Sequence, residues 1–229
     1  MRRVVRPELL DALPVDDPRA VHSRADLRRI NAWMGHARAL VRLLREAGAA
    51  RARRIVELGS GDGRLLLDLA QRVPFARGSE VVLVDMAPVV SDATLADFAR
   101  LGVVARVEAR EMLAYLEEPA PSSDLVVANL VLHHFEDAVL VRLFAAIARR
   151  ASACVALEPR RGLPGACGSR LLALIGCNDV TRHDARVSVD AGFRARELST
   201  LWPRGEGWTL REHAAGAFSH AFVARRGAP

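Results

Sequence analysis

Uninterrupted apolar runs outnumber alternating ones in this chain, and they predict strands covered on both faces. Ile55, Val56 and Leu58 form the first such run. Glu80 to Asp85 (EVVLVD), Val103 to Glu108, Asp124 to Asn129 (DLVVAN) and Ala153 to Glu158 give four more. Segments with helical spacing lie between them: the run LLLDLA after the first strand, Ser91 to Leu101, and Glu136 to Arg150. Trp208 to His213 and Ala217 to Arg225 read as a terminal hairpin around Gly216. Residues 1 to about 22 carry three prolines and no steady period, so they predict an extended arm with at most a short helix. From Ser23, which opens an S-x-x-D start signal, one long amphipathic helix is expected to run to Gly48. Its apolar positions Leu27, Ile30, Met34, Ala37, Val41 and Leu44, with Trp33 and Leu40, predict a buried face. Gly35 inside that helix would cost it about 1 kcal/mol against alanine, and with His36 it suggests close approach by another group.

The stretch RRIVELGSGDGR, starting at Arg53, carries the first chemical signal. A buried strand runs into a turn in which Gly59, Gly61 and Gly63 remove the side chains that would hold a ligand away from the backbone. The helix that follows points its free N–H groups back at the turn. Dinucleotide enzymes place their third glycine one position later, and their pyrophosphate needs this helix end clear of anions. Here Glu57 and Asp62 supply negative charge, which suits a cation such as a sulfonium carrying an ammonium group. Asp85 ends the second strand 22 residues beyond Gly63, the spacing of a carboxylate that accepts from both ribose hydroxyls.

VELGSGDG resembles motif I of the class I S-adenosylmethionine-dependent methyltransferases in spacing and in charge. The resemblance covers about residue 51 to the C-terminus. It implies an α/β fold: a Rossmann-like, doubly wound, seven-stranded and mostly parallel sheet with an antiparallel last strand. It further implies a domain over residues 51–229, with a helical insertion at about 160–207, preceded by an N-terminal arm and helical cap over residues 1–50. The cofactor would be S-adenosylmethionine, held by Glu57, Gly59, Ser60, Gly61, Gly63, Asp85 and Asn129. Met86 would lie on the adenine face, with Glu111 accepting from the adenine amine and the Met112 N–H serving a ring nitrogen. LVLHHF after the fourth strand resembles the motif IV loop of small-molecule methyltransferases. It is not the N-P-P-Y that holds an exocyclic amine of a nucleic acid, and Asn129 stands where catechol-type enzymes place a metal-binding aspartate.

Composition narrows the partners. All 33 basic residues are arginine, and the formal net charge is +6. The first 54 residues carry +7, residues 55–159 carry −6 and residues 160–229 carry +5, so basic ends flank an acidic centre. The arginines are spaced among aliphatic residues, and the single tyrosine leaves no aromatic-basic interleaving for stacking bases, which argues against nucleic acid. No apolar run reaches the length of a membrane span and the first residues lack a signal-peptide core, predicting a soluble cytoplasmic protein, with a homodimer left open. Cys154, Cys167 and Cys177 have neither disulfide nor zinc spacing and are expected as small buried fillers. No metal site is expected.

Methyl transfer is an in-line displacement that needs alignment, little water and, for a phenol or enol acceptor, removal of a proton. Histidine does this at neutral pH. His134, and secondarily His133, are the catalytic candidates. The expected activity is methyl transfer to a small lipophilic acceptor at oxygen, in secondary metabolism. The alternatives are an RNA or protein methyltransferase, or a non-catalytic cofactor-binding module.

Overall fold

The computed structural model describes residues 2–119, 121–205 and 207–227. Seven strands form one sheet in the order β3-β2-β1-β4-β5-β7-β6, where β1 is Arg54–Leu58, β2 Glu80–Asp85, β3 Val104–Ala109, β4 Ser123–Asn129, β5 Ala151–Pro159, β6 Trp208–Ala215 and β7 Ser219–Arg226. The first five run parallel, and β7 lies antiparallel between β5 and β6. The fold is thus the α/β, mostly parallel, seven-stranded sheet that the sequence predicts.

Alternate residues of the central strands feed two separate cores, because side chains of a strand point to opposite faces. Val56, Leu58, Val84, Val126, Ala128 and Ala156 pack on one face against α6 (Met112–Glu117) and α7 (Asp137–Arg150). Ile55, Leu83, Leu125, Val127, Val155 and Leu157 pack on the other against α3 (His36–Ala47) and α4 (Arg64–Arg72). Burial on both faces is why these strands read as continuous apolar runs. β3 is an edge strand, and its Val104 and Val107 are accordingly exposed. On the first face Phe144 of α7, Trp202, Trp208 and Phe222 lie with ring centroids 5.0 to 5.8 Å apart, tying the terminal hairpin to the sheet.

The N-terminal segment departs from the expectation. After α1 (Leu9–Ala12), helix α2 (Pro18–Trp33) begins earlier than Ser23, with Asp17 as its cap accepting from Arg19 N at 2.8 Å. It ends where Gly35 takes φ +72°, a left-handed conformation only glycine adopts cheaply, and α3 starts in a new direction. The long helix is therefore two, and Gly35 is its hinge rather than a point of close approach: a Cβ there would meet nothing within 4 Å. Ser23 and Asp26 are not a helix-start signal. Both are buried against α9 (Asp179–Ala191), where Thr181 Oγ1 donates to Ser23 Oγ at 2.9 Å and Asn178 N donates to Asp26 Oδ2 at 3.0 Å. The expected buried face holds for Leu40, Val41 and Leu44, whereas Leu27, Ile30 and Met34 are half-buried and Trp33 is 78% exposed.

Between β5 and β6 the chain forms α8 (Leu163–Leu171), α9 and the short α10 (Glu197–Leu201). Cys167 on α8 is exposed, so only Cys154 and Cys177 are buried fillers. None of the described helices is long and apolar enough to cross a membrane.

Candidate functional site

The strand order reverses between β1 and β4, and in sheets of this kind the crevice outside the strands' carboxyl ends at such a reversal is where a ligand binds. The glycine turn follows β1. Its Gly59 and Ser60 N–H groups donate back to Val84 O at 2.8 and 3.1 Å, which folds the turn over the end of β2. Gly59 at φ +72° is pressed against the loop after β4: a Cβ would lie 2.7 Å from Val131 Cγ2. Gly61 faces open space at φ +54°. A ligand can approach the backbone at Gly61, while Gly59 brings the two loops together. A Cβ on Gly63, the left-handed residue before α4, would lie 2.8 Å from Leu83 Cδ1.

Asp85 braces this turn. Its Oδ2 accepts from Gly61 N and its Oδ1 from Ala87 N, both at 2.9 Å. A carboxylate has about four acceptor positions, so two remain for hydroxyl groups in the crevice. Met86 beside it is 75% exposed.

Three buried side-chain atoms around the turn have no protein partner: Glu57 Oε2, Ser60 Oγ and Asn129 Oδ1. Glu57 lies on β1 opposite Val127 of β4, Asn129 ends β4 two residues further along the same face, and Ser60 follows β1 in the glycine turn. Buried polar atoms without partners are costly, and a polar ligand at this turn would satisfy them. Burial, with Asp62 and Asp85 adding repulsion, pushes the Glu57 carboxyl well above its usual range. A cation is the ligand that would relieve both conditions. The residues present therefore fit the ammonium end of S-adenosylmethionine.

Glu111 and Met112 lie beyond β3 at the start of α6. Glu111 Oε2 caps that helix by accepting from Ala114 N at 2.7 Å, and the partly exposed carboxylate keeps its other oxygen. The Met112 side chain is buried in the first core, and its backbone N–H belongs to the first turn of the helix, where no intrahelical acceptor exists.

The two histidines diverge. His133 is 3% exposed: its Nδ1 lies 2.8 Å from Glu158 Oε2 and its Nε2 3.3 Å from Glu8 Oε1. Burial opposes its charge, but the hydrogen bonds to Glu158 and Glu8 prevail and raise its pKa to about 9. Held between two carboxylates, the His133 ring fixes the loop. His134 is more open, its side chain 26% exposed, with Nδ1 3.5 Å from Asp11 Oδ2. The rings lie 4.3 Å apart.

Sequence reasoning missed Glu158, Glu8 and Asp11. Glu158 is fully buried at the end of β5 and accepts from the backbone N–H groups of Val131, Leu132 and His133 at 3.1, 3.0 and 3.3 Å, besides the His133 ring. It fixes the whole LVLHHF loop. An acid ending an otherwise apolar strand was its one visible signal. Glu8 arrives because the N-terminal arm is laced to α9: Leu9 N and Leu10 N donate to Asp184, and Ser188 Oγ donates to Glu8. Arg3 donates from Nη2 to Phe135 O at 2.6 Å and from Nη1 to Asp137 at 2.8 Å, pinning the arm across the same loop.

Residues 55–152 match a family model described as a methyltransferase domain. Among solved structures, the plantazolicin methyltransferase BpumL in complex with SAH superposes with TM-score 0.65 at 13% identity, over 92% of this chain and 91% of that one. N,N-8-amino-8-demethyl-D-riboflavin dimethyltransferase from Streptomyces davawensis gives 0.60 at 21%, over 97% and 63%. An O-methyltransferase family protein from Burkholderia thailandensis gives 0.60 at 18%, over 95% and 64%. The chain spans less than two thirds of the last two, and at these identities the likeness is one of fold. No curated protein matches the chain.

Proposed function

We propose that the chain is a class I S-adenosylmethionine-dependent methyltransferase that methylates a small, lipophilic acceptor at oxygen, a phenol, enol or quinol, a reading supported by the methyltransferase-domain match over residues 55–152. The observation that carries the cofactor half is the trio of partnerless buried atoms on Glu57, Ser60 and Asn129 beside a turn whose Gly61 lies open. Glu57 and Asn129 would hold the methionine end, Asp85 the ribose, and Glu111 with the Met112 N–H the adenine, with Met86 against its face. When bound, the cofactor supplies an electrophilic methyl group on a sulfonium.

The remaining chemistry falls to the chain's own residues. Methyl transfer to an ionised oxygen neutralises charge, so a pocket that excludes water favours it. The N-terminal arm, tied to the LVLHHF loop through Arg3 and Glu8, would cover the acceptor on that side, and half-buried Leu27 and Ile30 of α2 with Met34 after it would supply apolar surface. His134 is the base in this reading. Its ring is reachable, Asp11 faces its Nδ1, and the neighbouring His133 is fixed by Glu158 and Glu8. The test is methyl transfer from labelled cofactor into fractionated small molecules, RNA and protein of the source organism. Label is expected in a small apolar product. Label confined to RNA or protein would overturn the choice of acceptor.

A further inference from the structure

The fold assembles a group of metal-ligand atoms that no sequence spacing announces. Glu8, His133 and His134 each present one ligand atom, and these atoms all lie within 4.8 Å of one another. Two imidazole nitrogens and one carboxylate are the donor set of many zinc sites, which leave a fourth position open when only three protein ligands are present.

Three features go beyond proximity. The first is the separation of His133 Nε2 from Glu8 Oε1, 3.3 Å. That is long for a hydrogen bond between an imidazolium and a carboxylate, roughly 2.7–2.9 Å, yet it equals the edge of a tetrahedron with metal–ligand bonds of about 2.0 Å, roughly 3.3 Å. The second is the second carboxylate behind the ring. Glu158 Oε2, fully buried, lies 2.8 Å from His133 Nδ1 and fixes the orientation that presents Nε2 to Glu8, an arrangement recurrent behind zinc-bound histidines. The third is charge. Half-buried Glu8 and fully buried Glu158 flank one ring, exposed Asp11 adds a third carboxylate beside His134, and Arg3 of the N-terminal arm is engaged by Asp137 and by backbone carbonyls. Negative charge on both sides of the ring favours a divalent cation between His133 Nε2 and Glu8.

The geometry points to a binding site for a divalent transition metal of the zinc class, made by Glu8, His133 and His134, that clamps the N-terminal arm to the LVLHHF loop. Imidazole donors select zinc or nickel over magnesium. The site rests on the ligand geometry alone. Its effect on catalysis rests on the proposed role of His134: a metal-bound ring cannot take a proton, so zinc should inhibit, and chelated protein should be the active form.

The experiment is calorimetric titration of chelator-treated, full-length protein with zinc chloride, with magnesium chloride as the control. One zinc per chain is expected with dissociation constant at or below the micromolar range, no magnesium signal, and at least 10-fold weaker zinc binding in His134→Ala and in Glu8→Gln. Cobalt(II) should give the visible absorption of a four-coordinate site, lost in His134→Ala. Absence of saturable zinc binding, or binding that both variants leave unchanged, would overturn the site. If zinc binds as expected but transfer activity persists at saturation, the site stands and His134 is not the base.

Discussion

Removing the Asp85 carboxylate separates the brace it gives the turn from the ribose contact proposed for it. Asp85→Ala takes away the acceptor of Gly61 N–H and of Ala87 N–H, both at 2.9 Å, and the acceptor proposed for two ribose hydroxyls. The two backbone groups lie near solvent and recover water in part, so their loss should cost about 1–3 kcal/mol of stability. In a chain of this size that lowers Tm by roughly 2–10 °C and leaves the protein folded at room temperature. Hydrogen bonds to a charged acceptor are each worth about 1.5–3 kcal/mol. Two ribose hydroxyls, competing with water in a half-open crevice, should bring the loss in cofactor binding to about 2–4 kcal/mol, roughly 30- to 1,000-fold in Kd. Titration calorimetry with S-adenosylhomocysteine, run beside thermal unfolding, reads both quantities. Asp85→Asn is the finer probe, because its amide keeps one acceptor but turns donors toward groups that are themselves donors. A folded Asp85→Ala protein with affinity within about threefold of wild type would refute the ribose role. A large fall in Tm with affinity kept would make Asp85 a brace of the turn and nothing more.

Gly59→Ala should lower Tm by several degrees, since it combines a left-handed φ of +72° with a Cβ 2.7 Å from Val131 Cγ2. Val131→Ala in the same chain should restore part of the loss, and no restoration would show that the contact is not what demands glycine. His134→Ala in chelated protein should cost about 100-fold or more in turnover with cofactor affinity kept; normal turnover would remove His134 from the chemistry. His36 gives a stability prediction. Burial lowers its pKa from 6.5 to about 4, and Glu158 opposes the shift only in part. The unfolded chain therefore binds the proton first, so the stability from neutral His36 is complete above pH 6.5 and is lost as pH falls toward 4, on the order of 3 kcal/mol in all. Denaturant titrations across that window should show a shallower acid limb in His36→Gln, which can still bond Ser219, the partner of His36 Nε2 at 2.9 Å; an identical limb would contradict the assignment.

The sheet was legible because burial on both faces forces unbroken apolar runs, and β2 begins and ends at the residues where its run does. The glycine turn was legible for a related reason: close packing against Val131 and an open approach at Gly61 both demand the absence of a side chain. The N-terminal helices were misjudged because apolar spacing looks the same whether a helix continues or hinges, and Gly35 serves either outcome. Ser23 and Asp26 misled because residues suited to capping are equally suited to satisfying buried donors, here on α9, more than 150 positions away. Distance along the chain also hid the loop's anchors. Glu8 lies 125 residues before His133 and Glu158 lies 25 after it, and neither separation has a period that a linear reading could detect.

Whether the crevice at β1, β2 and β4 is a sulfonium site is decided by competitive calorimetry on the wild-type protein with S-adenosylmethionine, S-adenosylhomocysteine and NAD. The carboxylates of Glu57 and Asp62 should admit the first two with one molecule per chain and repel the pyrophosphate of the third. Saturable binding of NAD, with no heat from either adenosyl ligand, would contradict the account.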